Sequence, residues 1–184
     1  MNGWNLPESA VIGGRTYLIN ADYRDILDII TRLTSPEPDE QTRLYVALAL
    51  FYEEFQDMPV DDYTDAAKWM FWFISCGEED NGPPHPKIID WEQDRAMIVS
   101  DVNRVAGCEI RALPFCHWWT FIAWFNAIGE GQLSTVVSIR EKLRKGKRLE
   151  KWEQEFYRSN RSKVDFKTKY TAEEDAALKQ WFCK

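Results

Sequence analysis

Few stretches of this chain bring reactive or ligating side chains close together. The most suggestive is "HWWTFIAWF", His117 to Phe125, where the imidazole of His117 follows the thiol of Cys116. A thiol beside a base is the raw material of a nucleophile, but the two must lie within hydrogen-bond reach. Neighbouring residues on a helix point about 100° apart, so adjacency alone makes no dyad. Zinc would need four ligands, and the chain offers two histidines and four scattered cysteines, Cys76, Cys108, Cys116 and Cys183, with no C-x-x-C pair. His117 therefore reads as a core residue whose ring nitrogens find a carboxylate, carbonyl or hydroxyl.

Other polar clusters point no further. Asp61-Asp62, Glu78-Glu79-Asp80, and Asp90 with Glu92 and Asp94 miss the calcium-loop spacing and read as caps and solvated faces. Gly13-Gly14 lacks the additional glycines and the Lys-Ser/Thr of a phosphate loop. The expectation is a protein without catalysis, metal or cofactor.

The elements that must position these residues follow from periodicity and punctuation. "AVIGGRTYLI" sets two glycines between β-prone runs, the spacing of a two-residue hairpin turn. Asp22 caps a helix whose apolar face is Ile26, Ile29, Ile30 and Leu33, ending at "TSPEP". A second helix is expected from about Pro38 to Phe55, and a third over "YTDAAKWMFWFISCG", stopped at Gly77. A fourth fits Trp91 to Val105, and a fifth opens at Pro114 and runs to Ile128. Gln132 to about Arg144 and Lys147 to about Ser159 follow, and Thr171 with Glu174 forms a capping box for a terminal helix ending near Phe182. The fold class is all-α, about seven helices, with a short N-terminal β-hairpin. Residues 1–20 form an arm with the hairpin, 21–165 a helical domain, and 166–184 a C-terminal extension.

Composition narrows the class. At 184 residues, with 45% apolar and 29% charged side chains, one main core is expected. "MNGWNLPESAVIGG" has neither a basic start nor an apolar run, so a cytosolic location with reduced thiols is expected. The uncharged run "LPFCHWWTFIAWFNAI" covers about 24 Å as a helix against a hydrocarbon thickness of about 30 Å, so it is too short to span a membrane. Most of the aromatic segment reads as core, with one or two rings at the edge of a binding groove. Trp118, Trp119 and Phe121 are the candidates.

Charge is unevenly distributed. Residues 1–139 hold 9 basic and 22 acidic side chains, whereas 140–169 hold 12 and 5. From Arg140 the signs alternate at helical spacing, as in a solvated helix pair laced with weak ion pairs. An acidic body opposes approach to phosphate, so direct nucleic-acid binding is not expected. Arg140, Lys142, Lys145, Lys147 and Arg148 read instead as contacts to an acidic protein surface or to another copy of the chain.

A series of short pieces carries a resemblance: "WNLP" at Trp4, "GGRTYLINADYRDIL" at Gly13, "FY" at Phe51, "QD" at Gln93, "HWWTF" at His117, "SIREK" at Ser138, "KGKRLEKWE" at Lys145 and "FYRSN" at Phe156. In this order the chain resembles the gene-product-fifteen family of tail-morphogenesis modules in long-tailed phages and prophages of Gram-positive bacteria. The resemblance implies a tail assembly chaperone, absent from the virion, that coats the apolar, helical tape-measure protein in the host cytoplasm and recruits tail tube protein. It implies no cofactor and no catalysis. A structural tail or connector component is the alternative, and an enzyme or nucleic-acid-binding protein the more distant one. Self-association is a further option.

Overall fold

The computed structural model describes residues 4–36, 38–78 and 86–167. Gly13 and Gly14 adopt φ of +56° and +80°, values at which a side chain would be strained, and close a hairpin of β1 (Ser9–Ile12) and β2 (Arg15–Leu18). The strands pair antiparallel with Ser9 opposite Leu18 and Ile12 opposite Arg15. One face of the ribbon is interior: Ala10, Ile12 and Tyr17 belong to the same core as the helices. A Cβ on Gly13 would sit 2.5 Å from the Asp62 carboxylate, so the turn is also pressed against the segment leading into α3.

Eight α-helical segments follow among the described residues: α1 (Tyr23–Leu33), α2 (Glu40–Phe51), α3 (Tyr63–Ile74), α4 (Arg95–Ala106), α5 (Trp118–Asn126), α6 (Gln132–Arg144), α7 (Lys151–Ser159) and the single turn α8 (Arg161–Val164). The protein is thus mainly helical with a two-stranded N-terminal hairpin, as its sequence indicates. Helix α1 lies against α2 and α5, α4 against α5 and α6, and α6 against α8. The terminal helix expected over 171–182 lies outside the described residues.

Several boundaries differ from the sequence expectation, each because a distant group captures the backbone. Helix α2 stops at Phe51 rather than Phe55, since Tyr52 turns extended and bridges Ile19: Asn20 N–H donates to Phe51 O (2.8 Å) and Glu53 N–H to Leu18 O (3.1 Å). Phe55 still packs in the core, from a 3₁₀ turn. Helix α4 begins at Arg95 rather than Trp91, because the Asp90 carboxylate takes the N–H groups of Glu92 and Gln93 and holds 91–94 in a turn. Pro114 does not open α5; His117 caps it three residues later. Helix α7 starts at Lys151 rather than Lys147, after Gly146 at φ +63° ends α6 and the Glu150–Glu153 capping box begins the next helix.

Candidate partner-binding surface

The aromatic segment is built around His117. Its Nδ1 accepts from Trp119 N–H (3.1 Å), capping α5, and its Nε2 lies 3.0 Å from Pro7 O. Together the two contacts call for the Nε2–H tautomer, which donates to the carbonyl. Both ring nitrogens are therefore engaged, neither with Cys116, whose Sγ lies 3.8 Å from the His117 carbonyl. Burial pushes the Cys116 thiol up to about 11 and, likewise, Cys76 to about 11. Thiols held in this way are poor nucleophiles at neutral pH.

The next two residues finish a neighbouring helix. Trp118 Nε1 donates to Ile74 O and Trp119 Nε1 to Phe73 O, each at 2.9 Å. These carbonyls belong to the last turn of α3, beyond the reach of its own i+4 donors; Phe73 O also accepts from Cys76 N–H (3.0 Å). Trp118 is 2% exposed and packs inside, whereas Phe121, 1% exposed, contributes its ring only to the floor of a groove between α1 and α4. Trp119 is half-buried between Trp72 (5.6 Å) and Phe73 (5.9 Å). The segment follows the core half of its sequence reading.

A buried carboxylate fixes where α5 starts. Asp22 accepts from the N–H groups of Arg24 and Cys116, both at 2.9 Å, and pairs with the Arg24 side chain through Nε and Nη2. Backbone bonds from Tyr23 N–H to Cys116 O and from Trp118 N–H to Ala21 O stitch the same crossing. Burial by itself would raise Asp22, but the Arg24 and Cys116 hydrogen bonds outweigh it and hold the carboxyl below the usual carboxylate range. Asp101 plays a similar part at α6, where its carboxylate accepts from Leu133 N–H (3.2 Å). Gly131 is required there, since a Cβ would fall 2.6 Å from Asp101 Oδ1.

The basic segment divides in two. Arg140 is 5% exposed: Nη1 and Nη2 grip Asp94 at 2.6 and 2.9 Å, and the guanidinium also donates to the carbonyls of Val164, Lys163 and Ile88. A bidentate pair with its remaining donors satisfied is the geometry in which a buried charge is tolerated. The structure therefore places Arg140 inside, tying α6 to the start of α4 and to α8, and not at a partner surface. Lys142 is partly buried and pairs with Glu153 (2.6 Å), itself 1% exposed. Lys145 pairs with Glu141 on the surface. Lys147 and Arg148 are exposed in the turn before α7, and Trp152 in the first turn of that helix is 53% exposed.

A groove of about 320 Å³ lies elsewhere, between α1, α4, α5 and the 110–112 turn. Its apolar lining is Tyr23, Leu27, Trp91, Ile98, Val99, Ile110 and Phe121; Leu27, Trp91 and Val99 are the half-exposed members. Exposed charges stand at its rim: Arg24, Arg95 and Arg111, with Asp28 and Glu92. Arg24, Leu27, Asp28 and Thr31 form a second ridge of α1, beside the core stripe that the periodicity reveals, and Arg95, Ile98 and Val99 do the same on α4. Of the rings expected at a groove, only Phe121 reaches this one, as its floor. The local signal available in the sequence was Leu27, an apolar residue off the core stripe.

Among the described residues no cluster of three His, Cys, Asp or Glu side chains is placed to hold a metal ion, and no helix is long and apolar enough to cross a membrane. No curated protein and no solved structure matches the chain. The family model described as "Bacteriophage Gp15 protein" matches residues 5–166, from before the hairpin to just past α8, and the chain accordingly belongs to the bacteriophage Gp15 protein family.

Proposed function

We propose that this phage protein is a tail assembly chaperone of a long-tailed phage or prophage of Gram-positive bacteria. It acts in the host cytoplasm, binding the tape-measure protein before the tail tube polymerises around it, and it has no catalytic role. The observation that carries the reading is the groove of Leu27, Trp91 and Val99 under a rim of charges. An amphipathic helix docks by laying its apolar stripe on such a floor, while rim charges set its direction. A tape measure rich in apolar helix would offer many such stripes, and membership of the Gp15 family supports a phage role. The exposed Lys147 and Arg148 are a second candidate contact, suited to the acidic face of tube protein or a sister copy.

Co-expression with the tape-measure protein tests the reading. The tape measure should move into the supernatant with the parent chain and remain in the pellet with Leu27→Asp and Val99→Asp variants that keep the parent's circular dichroism. Equal insolubility with and without the parent chain would refute it. A structural tail component predicts the opposite location, with this chain abundant in purified virions by mass spectrometry.

A further inference from the structure

Two faces of the molecule carry charge of opposite sign that the described chain does not satisfy within itself. The first runs along α7, where Lys151, Gln154 and Arg158 stand at the i, i+3, i+7 spacing of one helical side. Two shallow depressions meet there at Gln154, one lined by Arg148, Leu149, Glu150 and Lys151, the other by Tyr157, Arg158 and Arg161. Arg161 is held by Asp165, and Glu150 accepts from Trp152 Nε1 at 3.0 Å. Arg148, Lys151 and Arg158 are exposed and make no ion pair among the described residues. Glu153 and Phe156 turn the other side of the helix to the body, through Lys142 and the core.

The second face is the connection between α2 and α3. Residues 44–67 hold six acids and no basic side chain. Glu53, Glu54, Asp57 and Asp61 are exposed, with no ion pair among the described residues. The backbone that carries them is fixed: Glu53 N–H donates to Leu18 O (3.1 Å), 3₁₀ turns span Phe55–Asp57 and Val60–Asp62, and the Tyr45 ring packs edge-on against Phe55 at 5.1 Å. Tyr45 and Val60 give this face exposed apolar surface, as Trp152 does in the first turn of α7. Among the described residues no hydrogen bond or ion pair joins 44–67 to 142–161, so the two sets of charges do not neutralise each other within one chain.

We propose that the α7 face of one copy docks on the 53–61 face of a second copy, joining copies head to tail through Arg148, Lys151 and Arg158 on one side and Glu53, Glu54, Asp57 and Asp61 on the other. Complementary charge selects this partner and sets its orientation. A polyanion such as nucleic acid would meet repulsion from a body that holds 22 acids and 9 bases over residues 1–139, whereas a second copy brings its acids to the docking face itself. Because the two faces differ, each contact leaves one face of either kind unused at its ends. The association is therefore heterologous and grows into a ring or an open row instead of stopping at a symmetric pair. Leu27, Trp91 and Val99 belong to neither face, so every copy keeps its groove open. Docking of copies needs no tape measure and holds whatever client the groove takes.

Sedimentation velocity of the full chain, with no other protein present, tests the contact. The weight-average sedimentation coefficient should rise as protein goes from low to high micromolar at about 0.05 M salt, and fall to the monomer value at about 0.5 M, where exposed charges are screened. Lys151→Glu with Arg158→Glu, and separately Glu54→Lys with Asp57→Lys, should each keep the parent's circular dichroism and stay monomeric at low salt. An equal mixture of the two variants should associate again, because each then meets a copy of matching sign. A parent that is monomeric at every concentration, parent association that salt does not weaken, a folded variant that associates as the parent does, or a mixture that stays monomeric each overturns the proposal. So does a short DNA duplex that co-sediments with the parent and not with the Lys151→Glu, Arg158→Glu variant, which would assign the α7 face to nucleic acid. Because no tape measure is present, monomeric sedimentation leaves the chaperone reading standing, and an insoluble tape measure leaves this contact intact.

Discussion

The aromatic segment 117–125 and the basic segment beginning at Arg140 look alike in sequence, each a concentration of side chains suited to gripping a partner. In the fold they part company. The first is drawn inwards almost whole: His117, Trp118 and Phe121 are buried, and Trp119, Trp124 and Phe125 are half-buried. The second gives up one residue, Arg140, and leaves Lys147 and Arg148 in solvent. Burying a large ring is favourable once its single polar atom has found an acceptor, as Trp118 and Trp119 do on the end of α3. Burying a charge is tolerated only with a matched partner: of these five cations Arg140 has Asp94 and goes fully inside, Lys142 has the buried Glu153 and is drawn partly inwards, and the others stay in solvent.

The contrast can be broken most sharply at its two centres. Arg140→Ala leaves the Asp94 carboxylate buried without its counter-charge and should cost about 3–5 kcal/mol, read as a lowered urea midpoint. A paired Asp94→Leu and Arg140→Met replacement should recover most of that loss. If Arg140→Ala is neutral, Arg140 is not the joint described here. Trp118→Ala removes a fully packed ring and should cost about 3–5 kcal/mol, with loss of cooperative unfolding. A folded Trp118→Ala chain with normal stability would return that ring to the surface.

Polar support inside the aromatic segment comes next. His117→Leu deletes both the α5 cap and the contact to Pro7 O, and should cost about 1–3 kcal/mol by thermal melts. An acid titration separates Asp22 from the rest. Its folded-state carboxyl is held low, so its contribution is complete above the ordinary carboxylate value and fades as pH falls through the lower folded value. Asp22→Asn should therefore be less stable than the parent at pH 7, with urea midpoints converging towards pH 3. A gap that stays constant with pH would assign the loss to packing instead. The smallest effect belongs to the basic turn, where Lys147→Glu with Arg148→Glu should alter stability by less than about 0.5 kcal/mol. Pull-down with tube protein reads their other role, and undiminished capture would remove them from the interface.

Much of the architecture was legible because it is written locally. The hairpin turn needs two residues at positive φ, and Gly13-Gly14 supplies them. Asp22 and the Ile26, Ile29, Ile30, Leu33 stripe define α1 from cap to end, and α6 runs from Gln132 to Arg144 as its pattern indicates. The core nature of His117 also followed from its apolar surroundings. The groove was not legible: Trp91 and Val99 come from a turn and a helix more than sixty residues from Leu27, and nothing near any of them announces the others.

The residues by themselves determined the helical class, the hairpin, the Asp22 cap and the family, since each depends on turn chemistry, on a 3.6-residue period or on ordered short motifs. Tertiary structure alone decided that Arg140 faces Asp94 across 46 positions, that Cys116 N–H meets Asp22 across 94, and that α2 yields its last turn to a bridge with Ile19. The physical reason is the same in each case. A buried charge or backbone group must be satisfied by whichever partner the packed chain brings within about 3 Å, and that partner is set by packing, not by sequence distance.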